Sequence, residues 1–213
     1  VGAAVLAAAM LSGCGNAPKK IEDFAIYVSS VQEITIPEGV KVVALGEATH
    51  GNNEFQQLKK DVFQQLVETT DVRAFVLEGD FGGCELVNQY IQGGEGDIKE
   101  ITSLLGYKIY RTDNMMNLIE WMRSYNETAS EEDKVRFYGM DMQYESRCVT
   151  LLKAFYEKAD SSIAEEISQQ MDALFGLEED GYKPEEYDSI IAFLDGLKKD
   201  IEEHEADYSA ATS

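Results

Sequence analysis

The sequence predicts an α/β fold, a parallel sheet flanked by helices, with a helical hairpin subdomain, and three observations carry that expectation. Short β-rich runs at residues 40–45, 74–77 and 135–138 each stop at a glycine and an acid: Gly46-Glu47, Glu78-Gly79-Asp80 and Gly139-Met140-Asp141. Most of the segments between and after them place apolar residues at helical spacing, and strand alternating with helix is the pattern of a parallel sheet. From about residue 144 onward only the helical spacing remains.

Taken in order, a helix is expected near residues 21–30 and a first strand over 41–46. Phe55, Leu58, Val62, Leu66 and Val67 then trace one face of a helix over 53–68, with Asn52 or Asn53 as its N-cap. A strand over 73–78 follows, then a helix over 84–91, a short helix near 98–105 and a helix over 113–125. A third strand over 135–139 closes the α/β part, which is assigned to residues 21–158. Leu151, Leu152, Phe155 and Tyr156 mark its last helix.

Ile163, Ile167, Met171, Leu174 and Phe175 line the next helix, opened by a capping box at Ser162 and Glu165 and closed at Gly176. Pro184 suits a first helical position, and Tyr187, Ile190, Ile191, Leu194, Leu197 and Ile201 continue the apolar face. Residues 159–208 are therefore assigned to the hairpin, its two helices spanning about 160–206. A hairpin cannot bury its faces alone, so it is expected to pack on the α/β part or cap its cleft.

The chain carries 40 acidic against 18 basic residues, a net charge of −22. That field repels phosphate backbones, so nucleic acid is excluded as a partner and a small neutral or cationic molecule is favoured. With 44% hydrophobic residues there is enough apolar surface for a core.

Residues 1–11 form an alanine-rich apolar stretch, too short to span a bilayer and shaped like the hydrophobic region of a secretory signal. It closes on Leu11-Ser12-Gly13-Cys14, which resembles a bacterial lipobox, so residues 1–14 are assigned to a lipoprotein signal and Cys14 to lipidation. The expected location is the outer side of the cell membrane, held by the lipid anchor at Cys14. Cys84 and Cys148 remain; one bridge and two separate thiols both stay open.

Glu47, His50, Glu78 and Asp80 should meet at one rim, where the strands of an α/β sheet end. His50 lies in a turn bounded by Gly46 and Gly51, and an imidazole beside carboxylates is the natural general base. Crowding Glu47, Glu78, Asp80 and Asp141 together calls for compensation by protonated His50, by Arg111, by raised carboxyl pKa values or by a divalent cation. No cofactor is assigned, since neither a His-x-x-x-His pair nor a cysteine pair supplies a zinc set. For Asp80 and Asp141, capping the helix that follows weighs evenly against a functional role. Backbone amides opening the helix after Gly51 are further candidates to hold an oxyanion. His204, among Glu202, Glu203 and Glu205, reads as a solvated helix residue.

Four segments in order resemble the erythromycin esterase family. They are residues 43–51 (VALGEATHG) followed by Glu54-Phe55, residues 75–79 (FVLEG), residues 118–126 (LIEWMRSYN) and residues 137–143 (FYGMDMQ). The resemblance implies hydrolysis of a macrolide's lactone ester by an activated water. In that scheme His50 is the base, Glu47 and Glu78 position it or the water, and Asp80, Arg111 and Asp141 bind or support. It also implies a chain about twice this length with another histidine downstream, so the sequence reads as a truncated member with little activity alone. Asp113-Asn114 stands where the family pattern leads us to expect a glutamate. The alternative within the wider superfamily is a membrane-tethered haem- or metal-binding lipoprotein.

Overall fold

A computed structural model describes residues 4–6, 25–142, 144–176 and 184–212, which fall into two compact units divided between Asp141 and Met142. The last helix assigned above to the α/β part therefore belongs with the helices that follow it.

In the first unit, β1 (Ala4–Leu6) pairs antiparallel with β2 (Ile26–Val28). A helix was expected around β2. Ile26, Tyr27 and Val28 are β-branched or aromatic, and Ile26 and Tyr27 are largely exposed, so no amphipathic face is available to hold a helix there. Cys14 and residues 21–24 lie outside the described residues.

Residues 41–46, the expected first strand, run without regular structure and make no ladder among the described residues, with Val42 81% exposed. The run has strand composition, but a strand exists only where a partner accepts its backbone bonds. Gly51 then adopts φ +76°, a left-handed turn that glycine enters without penalty, and redirects the chain into α1 (Asn53–Thr69). The Asn52 side chain caps this helix by accepting from the Glu54 amide at 3.1 Å.

The central pair is β3 (Ala74–Asp80) and β4 (Arg136–Asp141), parallel, in register from Ala74 opposite Arg136 to Leu77 opposite Gly139. Parallel strands need a crossover. Here it is built from α2 (Phe81–Ile91), α3 (Ile98–Ser103), a 3-10 turn at Lys108–Tyr110 and α4 (Asp113–Asn126). The register shifts between Leu77 and Asp80, where the strands come so close that a Cβ on Gly139 would stand 2.7 Å from the carbonyl oxygens of Gly79 and Asp80. Side chains terminate the outer edge of β4. Asn126 Oδ1 accepts from the Val135 amide at 2.8 Å, and Asn88 Oδ1 accepts from the Phe137 amide at 3.1 Å.

Strand alternation sends Phe75, Leu77 and Phe137 to one face. They are buried with Phe63 and Val67 of α1, Cys84, Val87 and Ile91 of α2, and Leu118, Ile119 and Met122 of α4. The Phe63 ring meets Phe75 edge-on at 5.2 Å, and Phe75 lies 5.3 Å from Phe137. The opposite face, with Val76, Tyr138 and Met140, is exposed.

The second unit holds α5 (Glu145–Ala159), α6 (Ser161–Gly176), α7 (Pro184–Glu203) and α8 (Glu205–Thr212). Gly176 and Pro184 bound their helices as expected. The cap of α6 is Asp160, whose Oδ1 accepts from the Ser162 amide at 3.0 Å and from its hydroxyl at 2.6 Å, so Ser162 is held by the cap and does not itself provide it. The expected hairpin has a third helix because the chain breaks at His204. Tyr156, Ile167, Ile190, Leu197 and Tyr208 form the core. Asp200 Oδ2 accepts from the hydroxyls of Tyr156 and Tyr208, both at 2.9 Å. His204 is half-exposed and bonds through Nδ1 to the Asp200 carbonyl at 3.0 Å.

Cys84 and Cys148 form no disulfide with each other and lie one in each unit. Among the described residues no helix is long and apolar enough to cross a membrane.

Candidate functional site

The loop that leads into α1 folds back so that Glu47 meets both His50 and the helix. His50 Nδ1 lies 2.6 Å from Glu47 Oε1, and Lys59 Nζ donates to Glu47 Oε2 at 2.5 Å. Burial works against the charge on Glu47, but the hydrogen bonds from Lys59 and then His50 overcome it and hold the carboxyl below its ordinary range. An ionised carboxylate can only accept, so His50 Nδ1 must carry the ring proton. In the neutral ring the lone pair then belongs to Nε2, on the far side of the imidazole from Glu47. The carboxylate and ammonium are mostly covered, whereas the imidazole is 64% exposed. A fixed tautomer with an outward-facing nitrogen is the arrangement a general base requires.

The other expected residues divide by what they touch. Glu78 is exposed near the C-terminal end of β3. Asp80 is fully buried and its Oδ2 accepts from the Gly83 amide at 2.6 Å, capping α2, which therefore starts at Phe81 and not at Cys84. Asp141 accepts from the Tyr107 hydroxyl at 2.6 Å. Arg111 is exposed just after the 3-10 turn. The structure thus bonds Glu47 to His50 and gives Asp80 and Asp141 partners of their own. Among the described residues no group of three or more His, Cys, Asp or Glu converges in a way that would hold a metal ion.

The turn ahead of α4 contributes residues that the sequence reading did not single out. Tyr110 is only 4% exposed, and its phenol is pushed up to about 12, by burial first and then by the charges of Glu78 and Glu47. Those two carboxylates therefore act on one buried phenol. The turn is fastened to α1 by Gln56, whose Nε2 donates to the Ile109 carbonyl at 2.8 Å and whose Oε1 accepts from the Thr112 hydroxyl. Asn114 Nδ2 binds the carbonyl and the side-chain oxygen of Asn53 at 2.9 and 2.7 Å, joining the N-terminal ends of α4 and α1. Lys59 had a legible signal: it shares the helical stripe of Phe55, Val62 and Leu66, where a lysine needs a buried partner. Tyr110 had none.

A parallel strand pair crossed over by helices defines an α/β protein, and its first unit also carries a histidine held by a carboxylate. The family profile described as erythromycin esterase matches residues 67–213, and the chain belongs to that family. A curated relative, erythromycin esterase type II of Escherichia coli, is 31% identical over 102 residues, covering 48% of this chain and 23% of that protein. The crystal structure of a succinoglycan biosynthesis protein superposes with a TM-score of 0.64 at 25% identity, covering 78% of this chain and 44% of that one. A Bacillus cereus protein of solved structure gives a TM-score of 0.62 at 23% identity, covering 79% and 41%, and shows the same fold. The chain spans less than half the length of each of these relatives.

Proposed function

We propose that the full-length protein carrying this chain hydrolyses an ester, with a macrolide lactone as the substrate class and water as the nucleophile. The observation that carries the reading is the Glu47–His50 bond at 2.6 Å with Lys59 behind it. It leaves one ring nitrogen able to take a proton from water. His50 Nε2 removes that proton as the water oxygen attacks the ester carbonyl. The ester C–O bond then breaks and the leaving alkoxide takes the proton back from the imidazolium. Glu47 fixes the tautomer and stabilises the charged ring, and Glu78 helps to place the water. Arg111 stands ready to hold the carboxylate product, while Asp80 and Asp141 support the strand ends. The family membership and the erythromycin esterase of Escherichia coli support ester chemistry and suggest the lactone.

The test is erythromycin ring opening by the full-length protein, followed as the mass gain of one water. His50→Ala should lower kcat by about 10² to 10⁴, the range for a lost general base. A variant that keeps the wild-type rate sinks the reading. We place the protein on the outer side of the cell membrane through a lipid on Cys14; Cys14→Ser should then move it from the membrane to the soluble fraction.

A further inference from the structure

We propose that the Tyr110 hydroxyl is the hydrogen-bond donor for the substrate's ester carbonyl oxygen as it becomes an oxyanion, which makes Tyr110 a catalytic residue alongside His50. The inference rests on the hydrolytic reading above.

Tyr110 is 4% exposed, packs in the core of the first unit, and meets the Tyr107 ring edge-on at 6.2 Å. Tyr107 spends its hydroxyl on Asp141 at 2.6 Å. The Tyr110 hydroxyl makes no hydrogen bond among the described residues. Because that oxygen is not among the fully covered polar atoms that lack a partner, it reaches the surface while its ring stays buried, and it is open to an acceptor on a ligand.

Placement is the second observation. Gln56 and Lys59 lie three residues apart on α1, so their side chains are neighbours on one helical face. Gln56 holds the turn that carries Tyr110, and Lys59 holds Glu47, which holds His50. One turn of helix therefore anchors both the turn that carries the donor and the loop that carries the base. Burial, then the fields of Glu78 and Glu47, keep the phenol protonated through the neutral range, so it can only donate there. The competing donor expected at the start of α1 is partly spent, because Asn52 accepts from the Glu54 amide.

In the step itself, water loses its proton to His50 Nε2, its oxygen bonds the carbonyl carbon, and the C=O π pair moves to the oxygen facing Tyr110. The phenol keeps its proton and stabilises that charge by hydrogen bonding. The pair returns as the ester C–O bond breaks, and the imidazolium proton goes to the leaving oxygen, giving a hydroxy acid.

The experiment uses the full-length protein with erythromycin, and 4-nitrophenyl acetate as a second ester. Tyr110→Phe keeps the ring and its packing, so the urea midpoint should not move. Loss of an oxyanion donor should lower kcat about 100-fold, with KM changed less than about twofold because the bond forms in the transition state. Wild-type kcat in Tyr110→Phe, with His50→Ala inactive, overturns this inference and leaves the hydrolytic reading standing. A fall in kcat matched by a fall in the urea midpoint assigns Tyr110 a packing role and also overturns it. Hydrolysis that survives His50→Ala, or no His50-dependent hydrolysis of either ester, overturns both.

Discussion

Glu47 commits both carboxylate oxygens, one to a base and one to a helix, and its charge depends on the second. Its folded pKa is lowered, so its contribution to stability is present above the ordinary carboxylate range and is lost as pH falls through the lowered value. Lys59→Met removes the strongest ionising contact. We expect it to cost about 1 kcal/mol at neutral pH, typical of a charged hydrogen bond with one partner deleted, and the difference from wild type to vanish in acid. Urea unfolding at a series of pH values checks this. The Glu47–His50 pair was legible because three residues of a glycine-bounded turn cannot separate two side chains far. Lys59 was legible only as a lysine on an apolar stripe in need of a partner, not as the partner of Glu47, and Tyr110 was not legible at all, since each reaches the site through a fold that joins residues 47, 59 and 110, far apart in the chain.

At the scale of elements, helices read well because their 3.6-residue periodicity is local, and α1 and α4 fall within one residue of expectation. Residues 41–46 show why strands are harder: composition names a candidate but not its partner. Caps decide starts. Asp80→Ala should cost about 1 to 2 kcal/mol by losing the α2 cap, while Asp80→Ser, which can still accept, should cost less; chemical denaturation separates the two. Gly139→Ala meets two carbonyl oxygens at 2.7 Å. Forcing β3 and β4 apart should cost about 1 to 3 kcal/mol, as overpacking does, and should appear as a lower urea midpoint with the slope unchanged. The sequence marked Gly139 only as the end of a strand, because the close approach comes from pairing with a segment sixty residues earlier.

The second unit carries its own alkaline titration. Tyr156 and Tyr208 are held as neutral phenols, by burial first and then by their bonds to Asp200, with Tyr208 pushed up to about 12 and Tyr156 higher still. Free tyrosine ionises near 10, so these bonds contribute fully below about pH 10 and are lost as pH rises through the folded values. Asp200→Ala should move the alkaline loss of helical signal in the second unit toward about pH 10, with tyrosinate absorbance rising in step.

The bare sheet face also bears on what added salt should do to a solution of this chain. Val76, Tyr138 and Met140 are 54%, 38% and 67% exposed on a molecule whose net charge is −22. Repulsion between like-charged particles keeps such faces apart in dilute buffer, but its range shrinks from about 30 Å at 0.01 M salt to about 8 Å at 0.15 M. Added salt should therefore cloud the solution instead of clearing it, and turbidity rising with ionic strength at constant pH would register the moment when greasy contact outcompetes charge.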